Sequence, residues 1–392
     1  MSGSPLAISA WTATSALGRG RDAHARALFD ERTGLAPTRF ETCTLECWIG
    51  VAGSLDRPLS GELAAWDCRN NRLAQLGLEQ DGFTAQVARA AERYGAERIG
   101  VFMGTSTSGI HSAELAYRER DRAANRLPAD FDHGRTSCTW SIAGFVQASL
   151  KLRGESIAIS TACSSSAKVF ASARRAIQAG LCDAAVVGGV DSLCLTTLHG
   201  FHSLQLVSRD ICRPADTRRN GISIGEAAGF ALLERADAEL ALLGDGESSD
   251  AHHMSAPEPN GRGAGEAMTR ALARAGLQAA DIDYVNLHGT ATPANDAAED
   301  RAICSVLGES TPVSSTKGWT GHTLGAAGIL EAVISLLCVE HGFVPRSLNT
   351  LSPDPSLRAN LVRDSRRARI GRVMSNSFGF GGSNCSLVLG RP

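Results

Sequence analysis

A cysteine at a strand-to-helix turn is the residue of this chain best placed to act as a nucleophile. Residues 157–160 form an apolar run that predicts a buried strand, and residues 167–179 have the composition of a helix, so Cys163 lies between them. Unpaired backbone N–H groups and the positive end of a helix dipole stabilise an anion at such a turn. We therefore predict that the pKa of Cys163 is lowered and that its thiolate is reactive.

The other cysteines are expected to be small buried side chains. Cys43 and Cys47 have the spacing of half a metal site, but the sequence offers no second pair of ligands at a suitable distance, so no metal is predicted. The cysteines are scattered and odd in number, eleven in all, and the N-terminus lacks a signal-peptide pattern. These features predict a reducing, cytoplasmic location.

Two histidines also stand at the ends of predicted strands. His288 follows the apolar run 284–287, and His322 lies between a strand at 313–315 and a long helix. Because the carboxyl ends of strands in an α/β sheet face a common crevice, both side chains can reach one pocket. Isolated histidines are more often structural, which is what we expect of His24, His133 and His341.

A glycine-rich segment, residues 375–384, combines a predicted strand with aromatic residues and glycines. Since glycine has no side chain, backbone N–H groups there can approach a ligand closely. Turns of this kind are common, so the segment indicates a site only together with the cysteine and the histidines.

Length and composition limit the classes of protein to which this chain can belong. The 392 residues exceed a typical single core, and 43% hydrophobic with 20% charged residues is ordinary for a soluble α/β enzyme. A formal net charge of −2 provides no general attraction for nucleic acid. No uninterrupted apolar run approaches the roughly 20 residues that a membrane span needs, so none is expected.

Short strand-like runs alternate with Ala-rich helical stretches, which predicts an α/β fold. The first series ends near Arg235, and a second, similar series begins after a stretch of small and acidic residues. We therefore predict two halves, residues 1–236 carrying the cysteine and residues 237–392 carrying the two histidines.

Several ordered motifs together identify a family. They are Thr161-Ala-Cys163, His288-Gly-Thr-Ala-Thr292, Lys317 with Gly321-His322, Gly379-Phe-Gly-Gly382, Cys212-Arg-Pro-Ala-Asp216 with Gly225-Glu226, and the run from Asp250 to Pro257. In this order, and over nearly the whole chain, they resemble the β-ketoacyl-[acyl carrier protein] synthases of the thiolase superfamily. The resemblance implies a thiolase-like five-layered αβαβα fold with two pseudo-repeated halves. It also implies a dimer whose active site lies near the interface.

The resemblance assigns a role to each motif residue. Cys163 accepts the acyl group, and His288 and His322 stabilise the enolate left when a malonyl thioester loses carbon dioxide. Lys317 pairs with Glu331 and polarises the histidine region. The backbone N–H groups of Cys163 and Phe380 form an oxyanion hole. The implied reaction is a decarboxylative Claisen condensation, in fatty acid or in polyene or polyketide biosynthesis, that needs neither metal nor cofactor.

The resemblance also implies how the substrate is held. Thr290 and Thr292 bind the pantetheine arm and Phe380 gates the acyl pocket, whose other implied contacts are Phe378, Thr107 and Phe201. The acidic carrier protein should dock on a local cluster of arginines, for which we select Arg69 and Arg72, although a solvated helix face explains that pair nearly as well. Ala215, Ser166 and Lys168 depart from the family pattern at positions that bear on the substrate range.

Three other functions are compatible with parts of the sequence. A thiolase would share the fold and Cys163 but needs a second reactive cysteine, for which only Cys385 is near the right region. A non-catalytic chain-length-factor subunit resembles these enzymes but lacks the nucleophile, which is present here. The chain could also be the catalytic member of a heterodimer with such a subunit rather than a homodimer, and the sequence does not decide between the two.

Overall fold

A computed structural model describes residues 4–392. Most strands belong to one long sheet, three others form a small second sheet, and two more pair with each other. The strands are β1 (Leu6–Ser15), β2 (Gly18–Arg19), β3 (Leu35–Pro37), β4 (Trp48–Gly50), β5 (Ile99–Gly104), β6 (Ser156–Ile159), β7 (Ala184–Asp191), β8 (Ile224–Gly225), β9 (Ala227–Glu234), β10 (Ala241–Ser249), β11 (Tyr284–Asn286), β12 (Pro312–Ser314), β13 (Phe343–Val344), β14 (Asn360–Leu361), β15 (Arg366–Arg367), β16 (Arg372–Gly379) and β17 (Ser383–Gly390).

Helices connect and cover these strands. They are α1 (Arg21–Phe29), α2 (Arg69–Leu78), α3 (Phe83–Tyr94), α4 (Ile110–Arg118), α5 (Ser141–Ser149), α6 (Ser165–Gln178), α7 (Leu195–Ser203), α8 (Arg262–Ala275), α9 (Pro293–Leu307), α10 (Lys317–Thr320) and α11 (Ala327–His341). Short single turns of 3₁₀ helix occur between them, for example at Phe380–Gly382.

The long sheet consists of two halves with the same sequence of strand directions. In the first, β1 and β9 are antiparallel, β9 and β7 are antiparallel, and β7, β5 and β6 are parallel. The second repeats this order as β10, β17, β16, β11 and β12, with β14 added at its edge. The halves meet at a two-residue ladder between β1 and β10. The structure thus has the pseudo-repeat that the family resemblance implies.

Helices form three layers around the two halves of the sheet. Helices α6 and α11 pack against each other in the middle and contact strands of both halves. Helices α2, α3 and α5 cover the outer face of the first half, and α8 lies on the outer face of the second half with α9 packed against it. Each side of each half is therefore buried, as expected for sheets with parallel strands. This is the predicted five-layered αβαβα arrangement.

The central helix is apolar enough to raise the question of a membrane span. The segment Leu324–His341, which includes α11, passes the length and composition test for a span, and 89% of it is buried inside the protein. Within the described residues it is the one segment that passes. Its hydrophobic side chains belong to the core between the two halves of the sheet. Burial of this kind is what a core helix of a folded domain requires.

Candidate active site

The nucleophile lies in a tight turn that the chain after β6 makes before α6 begins. Ala162, immediately before Cys163, has φ 52, in the left-handed region that costs a non-glycine residue about 1–2 kcal/mol. The hydroxyl of Ser165 stabilises the turn, because it accepts a bond from the N–H of Thr161 and donates to the carbonyl of Ala162. The turn therefore holds the Cys163 sulfur in one direction.

Burial, rather than the helix terminus, dominates the acidity of this thiol. Loss of hydration raises the pKa of Cys163 to about 11, while the Lys317 charge and the N–H groups of Phe380 and Cys163 act in the opposite direction. The prediction of a lowered pKa is therefore wrong. The two N–H groups assigned to the oxyanion hole nevertheless point at the sulfur.

The hydrogen bonds of His322 determine which of its two ring nitrogens carries the proton. His322 Nε2 lies 3.1 Å from the Cys163 sulfur, and His322 Nδ1 accepts a bond of 3.2 Å from the backbone N–H of Leu324. Since Nδ1 is an acceptor, the neutral ring carries its proton on Nε2. His322 is therefore a hydrogen-bond donor to the sulfur and to whatever binds beside it.

His288 has the same arrangement, with Lys317 as its donor. The Lys317 ammonium lies 3.4 Å from His288 Nδ1 and donates to the His288 carbonyl at 2.5 Å. Burial, followed by the positive charge of Lys317, lowers the pKa of both histidines well below the usual range. Both rings are therefore neutral and present Nε2–H to the same space, with ring centroids 5.3 Å apart.

The lysine is itself held by a carboxylate from the central helix. Lys317 donates to Glu331 of α11, and both side chains are almost completely buried. Burial raises the pKa of Glu331 to about 7, against the opposing effect of the ammonium. Removing one partner of such a pair leaves a buried charge without a counterion, which typically costs about 3–5 kcal/mol. The pair connects α11 directly to the His288 loop.

The ligand atoms of Cys163, His288 and His322 lie within 4.8 Å of one another, a spacing that could hold a metal ion. A metal-binding histidine normally donates an N–H from its other ring nitrogen to a carboxylate or carbonyl. Here the other nitrogen of each ring instead accepts a hydrogen bond, and an ammonium lies beside one of them. The donor set thus fits hydrogen-bond donation to an anion better than it fits a cation.

Two buried carboxylates that the sequence analysis missed hold the loops of the site. Glu299 of α9 accepts the backbone N–H groups of His288 and Gly289, at 2.8 and 2.7 Å, and burial raises its pKa to about 7. Asp191, at the end of β7, accepts the N–H of Thr107 and the N–H of Gly325, which follows His322 by three residues. The sequence gave no signal for a structural role of either residue, because aspartate and glutamate are usually exposed.

A cavity of about 320 Å³ brings most of the predicted residues together. Its lining contains the nucleophile and both histidines, and also Thr290, Thr292, Phe201, Phe378 and Phe380. The Thr290 and Thr292 hydroxyls bond each other at 2.8 Å, and the rings of Phe201 and Phe380 lie 5.7 Å apart. Thr107 is not in this lining, and its hydroxyl donates to Asp191. The predicted contact of Thr107 with the acyl pocket is therefore not seen in this chain.

The two arginines selected for carrier docking are engaged inside the chain. Arg69 forms a two-point ion pair with Glu226, whose side chain is fully buried. Arg72 pairs in the same way with Asp67. Both guanidinium charges are therefore already matched by a carboxylate, which weakens the argument for a free basic patch. Docking of the carrier on Arg69 and Arg72 stays a prediction.

The raised pKa of Cys163 predicts how its alkylation depends on pH. Because the thiol pKa is about 11 and only the thiolate reacts, the rate with iodoacetamide should rise about tenfold per pH unit between pH 7 and 9. Intact-mass kinetics on the free enzyme would measure this rate. A plateau below pH 8 would show that the thiolate is stabilised more strongly than the geometry indicates.

Two protein-family models match this chain, one mainly in each half. The family models for the beta-ketoacyl synthase N-terminal and C-terminal domains match residues 71–239 and 241–351. A 3-oxoacyl-[acyl-carrier-protein] synthase 2 from Rhizobium meliloti (strain 1021) is 38% identical over 313 residues, which cover 74% of each chain.

Two solved structures are similar over the whole chain. A ketosynthase (ApeO) in complex with its chain length factor (ApeC) from Xenorhabdus doucetiae has a TM-score of 0.91 and 39% identity, covering 99% of this chain and 98% of that chain. The ishigamide ketosynthase/chain length factor has a TM-score of 0.88 and 27% identity, covering 99% of both chains.

Proposed function

This chain belongs to the β-ketoacyl synthase family, and we propose that it condenses a cysteine-bound acyl group with a malonyl unit carried by acyl carrier protein. It is a condensing acyltransferase. We assign the roles of the site residues from one observation: the Cys163 sulfur and the imidazoles of His288 and His322 lie close together in one cavity.

The first half-reaction transfers the acyl group to the enzyme. The Cys163 sulfur attacks the thioester carbonyl, and the N–H groups of Cys163 and Phe380 stabilise the oxyanion of the tetrahedral intermediate. The His322 Nε2–H stabilises the sulfur anion as it forms. The pantetheine thiolate leaves and takes up a proton, which balances the proton lost from the Cys163 thiol.

The second half-reaction forms the carbon–carbon bond. The malonyl thioester carbonyl accepts hydrogen bonds from His288 Nε2–H and His322 Nε2–H, so the negative charge that develops on this oxygen during loss of carbon dioxide meets two fixed donors. The enolate carbon then attacks the acyl-cysteine carbonyl. The intermediate collapses to a β-ketoacyl thioester on the carrier and expels the Cys163 thiolate.

The remaining cavity residues suit a long, mostly apolar substrate arm. Thr290 and Thr292 place two hydroxyls in the cavity that the histidines line, where the amides of pantetheine would pass, and the neighbouring rings of Phe201 and Phe380 would contact the acyl chain. The reaction needs no metal or redox cofactor, since thiol transfer and enolate stabilisation use only side chains and backbone donors. All eleven cysteines are free thiols, as a reducing cytoplasm would keep them.

The partner that we propose is a ketosynthase-like second subunit of the chain-length-factor type. Both similar solved structures described above are ketosynthases with a chain length factor. In this chain β6 is the edge strand of the long sheet, and its Ile157 and the neighbouring Trp140 are about 40% exposed. An apolar sheet edge of this kind is a ready site for pairing with another chain.

One experiment tests the reaction and the partner together. The protein purified from its own cells is incubated with acyl and malonyl carrier thioesters in the presence of a chelator and analysed by intact and native mass spectrometry. We expect an acyl adduct on Cys163, a β-ketoacyl carrier product, and a complex of one copy with one ketosynthase-like subunit. Loss of activity that added metal restores would contradict the cofactor assignment, and two copies of this chain would contradict the partner.

A further inference from the structure

We infer that Arg69 is a positioning residue that holds His322 against the nucleophile through Glu226, rather than a docking residue for the carrier. The inference rests on the proposed function of the site. Arg69 lies at the start of α2 and donates from Nη2 to both Glu226 oxygens, at 2.8 and 3.0 Å, and from Nε to one of them. Its guanidinium also lies over the ring of Phe40, 5.2 Å from the centroid.

Glu226 depends on this arginine because no other cation pairs with it in the described part of the chain. Its side chain is fully buried and accepts the backbone N–H groups of Ala52 and Leu193, at 3.1 and 3.0 Å. Its own N–H donates to the carbonyl of Gly50 in β4. A carboxylate that loses its only cation in such a place becomes a buried unpaired charge, and the chain around it has to move or take up water.

The chain around Glu226 is the same chain that supports His322. The residues just before Glu226 form β8, and Ser223, which precedes β8, and Gly225, within it, hydrogen-bond the backbone N–H and carbonyl of His322. The N–H of His322 donates to the Ser223 carbonyl at 2.7 Å, and the N–H of Gly225 donates to the His322 carbonyl at 3.0 Å. The contact is close, because a side chain at Gly225 would come within 2.2 Å of the Thr320 carbonyl.

Movement of Glu226 is therefore transmitted along β8 to the imidazole. The position of the His322 ring relative to the sulfur, 3.1 Å from Nε2, is set mainly by its backbone and by the Leu324 N–H. A shift on the order of 1 Å at a reacting group can reduce a rate about 100-fold. Arg69 thus stands outside the cavity and acts on the reaction through the backbone of His322.

A carrier-free assay separates this role from docking. The test compares wild type, Arg69→Met, Arg69→Lys and Arg98→Met with the N-acetylcysteamine thioester of malonate. Arg98 is the matched control, because it makes the same two-point pair with Asp183 near the surface, away from the site. We expect Arg69→Met to lower kcat for decarboxylation about 10- to 100-fold. We expect Arg98→Met to leave kcat unchanged and Arg69→Lys to recover part of it.

The same variants show whether a loss of activity is only a loss of folding. Thermal unfolding is measured in parallel, and Glu226→Gln is combined with Arg69→Met to remove the unpaired charge. We expect the double variant to regain the wild-type Tm more fully than the wild-type kcat, because it removes the buried charge but does not restore the Arg69 hydrogen bonds that fix the position of residue 226. An Arg69→Met protein that keeps its carrier-free kcat, or changes only the KM for the carrier, overturns the inference. Failure of the wild type itself to decarboxylate the thioester would instead overturn the proposed function.

Discussion

The Cys163→Ala protein should form no acyl adduct and no condensation product, while it still decarboxylates malonyl thioesters. The sulfur is the nucleophilic atom that lies beside both histidines and both oxyanion-hole N–H groups, so its removal should lower condensation by at least about 10⁴-fold. Decarboxylation requires only the two histidine donors, which do not depend on the sulfur for their tautomers. Intact mass of the enzyme and released carbon dioxide would measure the two activities separately.

Cys385→Ala is the matched control for this experiment, and it also tests the thiolase alternative. A thiolase needs a second reactive cysteine, and Cys385 was the one candidate in sequence. The structure places Cys385 in β17 with its side chain in the central core, outside the cavity lining, and burial raises its pKa well above the usual range. We expect Cys385→Ala to keep condensation, and a loss as deep as that of Cys163→Ala would support the thiolase mechanism.

Residues whose role depends on a local motif could be assigned from sequence. Cys163, His288, His322 and Lys317 each sit in a short run whose residue types and order are specific, and the fold brings all four to one place. The two series of strand-like runs likewise predicted two halves, which appear as two sets of strands with the same directions. For the four motif residues, the information lies in the short run of sequence around each of them.

Properties that depend on distant residues could not be assigned in this way. The turn around Cys163 predicts a lowered pKa, but burial by the whole cavity determines the value, and burial is not visible in the local sequence. Arg69 looks like one of two surface arginines, and its partner Glu226 is 157 positions away. Glu299, which holds the His288 loop, belongs to a helix whose sequence resembles an ordinary charged one.

The two histidines should differ in their effect on the first half-reaction, although both are needed for the second. Removing one donor to a developing oxyanion typically costs about 2.7–4 kcal/mol, so His288→Ala and His322→Ala should each lower decarboxylation about 10²- to 10³-fold. His288 is held by Lys317 and, unlike His322, makes no hydrogen bond to the Cys163 sulfur, so His288→Ala should acylate at nearly the wild-type rate. His322 donates to the sulfur at 3.1 Å, so His322→Ala should acylate more slowly.

Two assays resolve this difference between the variants. Single-turnover acylation is measured by intact mass, and decarboxylation is measured separately by the release of carbon dioxide. His341→Ala is the control, because His341 lies at the end of α11 and packs against Phe29, away from the cavity. Replacement by asparagine should restore part of the decarboxylation, since its amide N–H can still donate to the oxyanion. If His322→Ala acylated as fast as His288→Ala, the Nε2–H contact would have no part in stabilising the sulfur anion. The Nε2–H of His322 would then stabilise only the enolate.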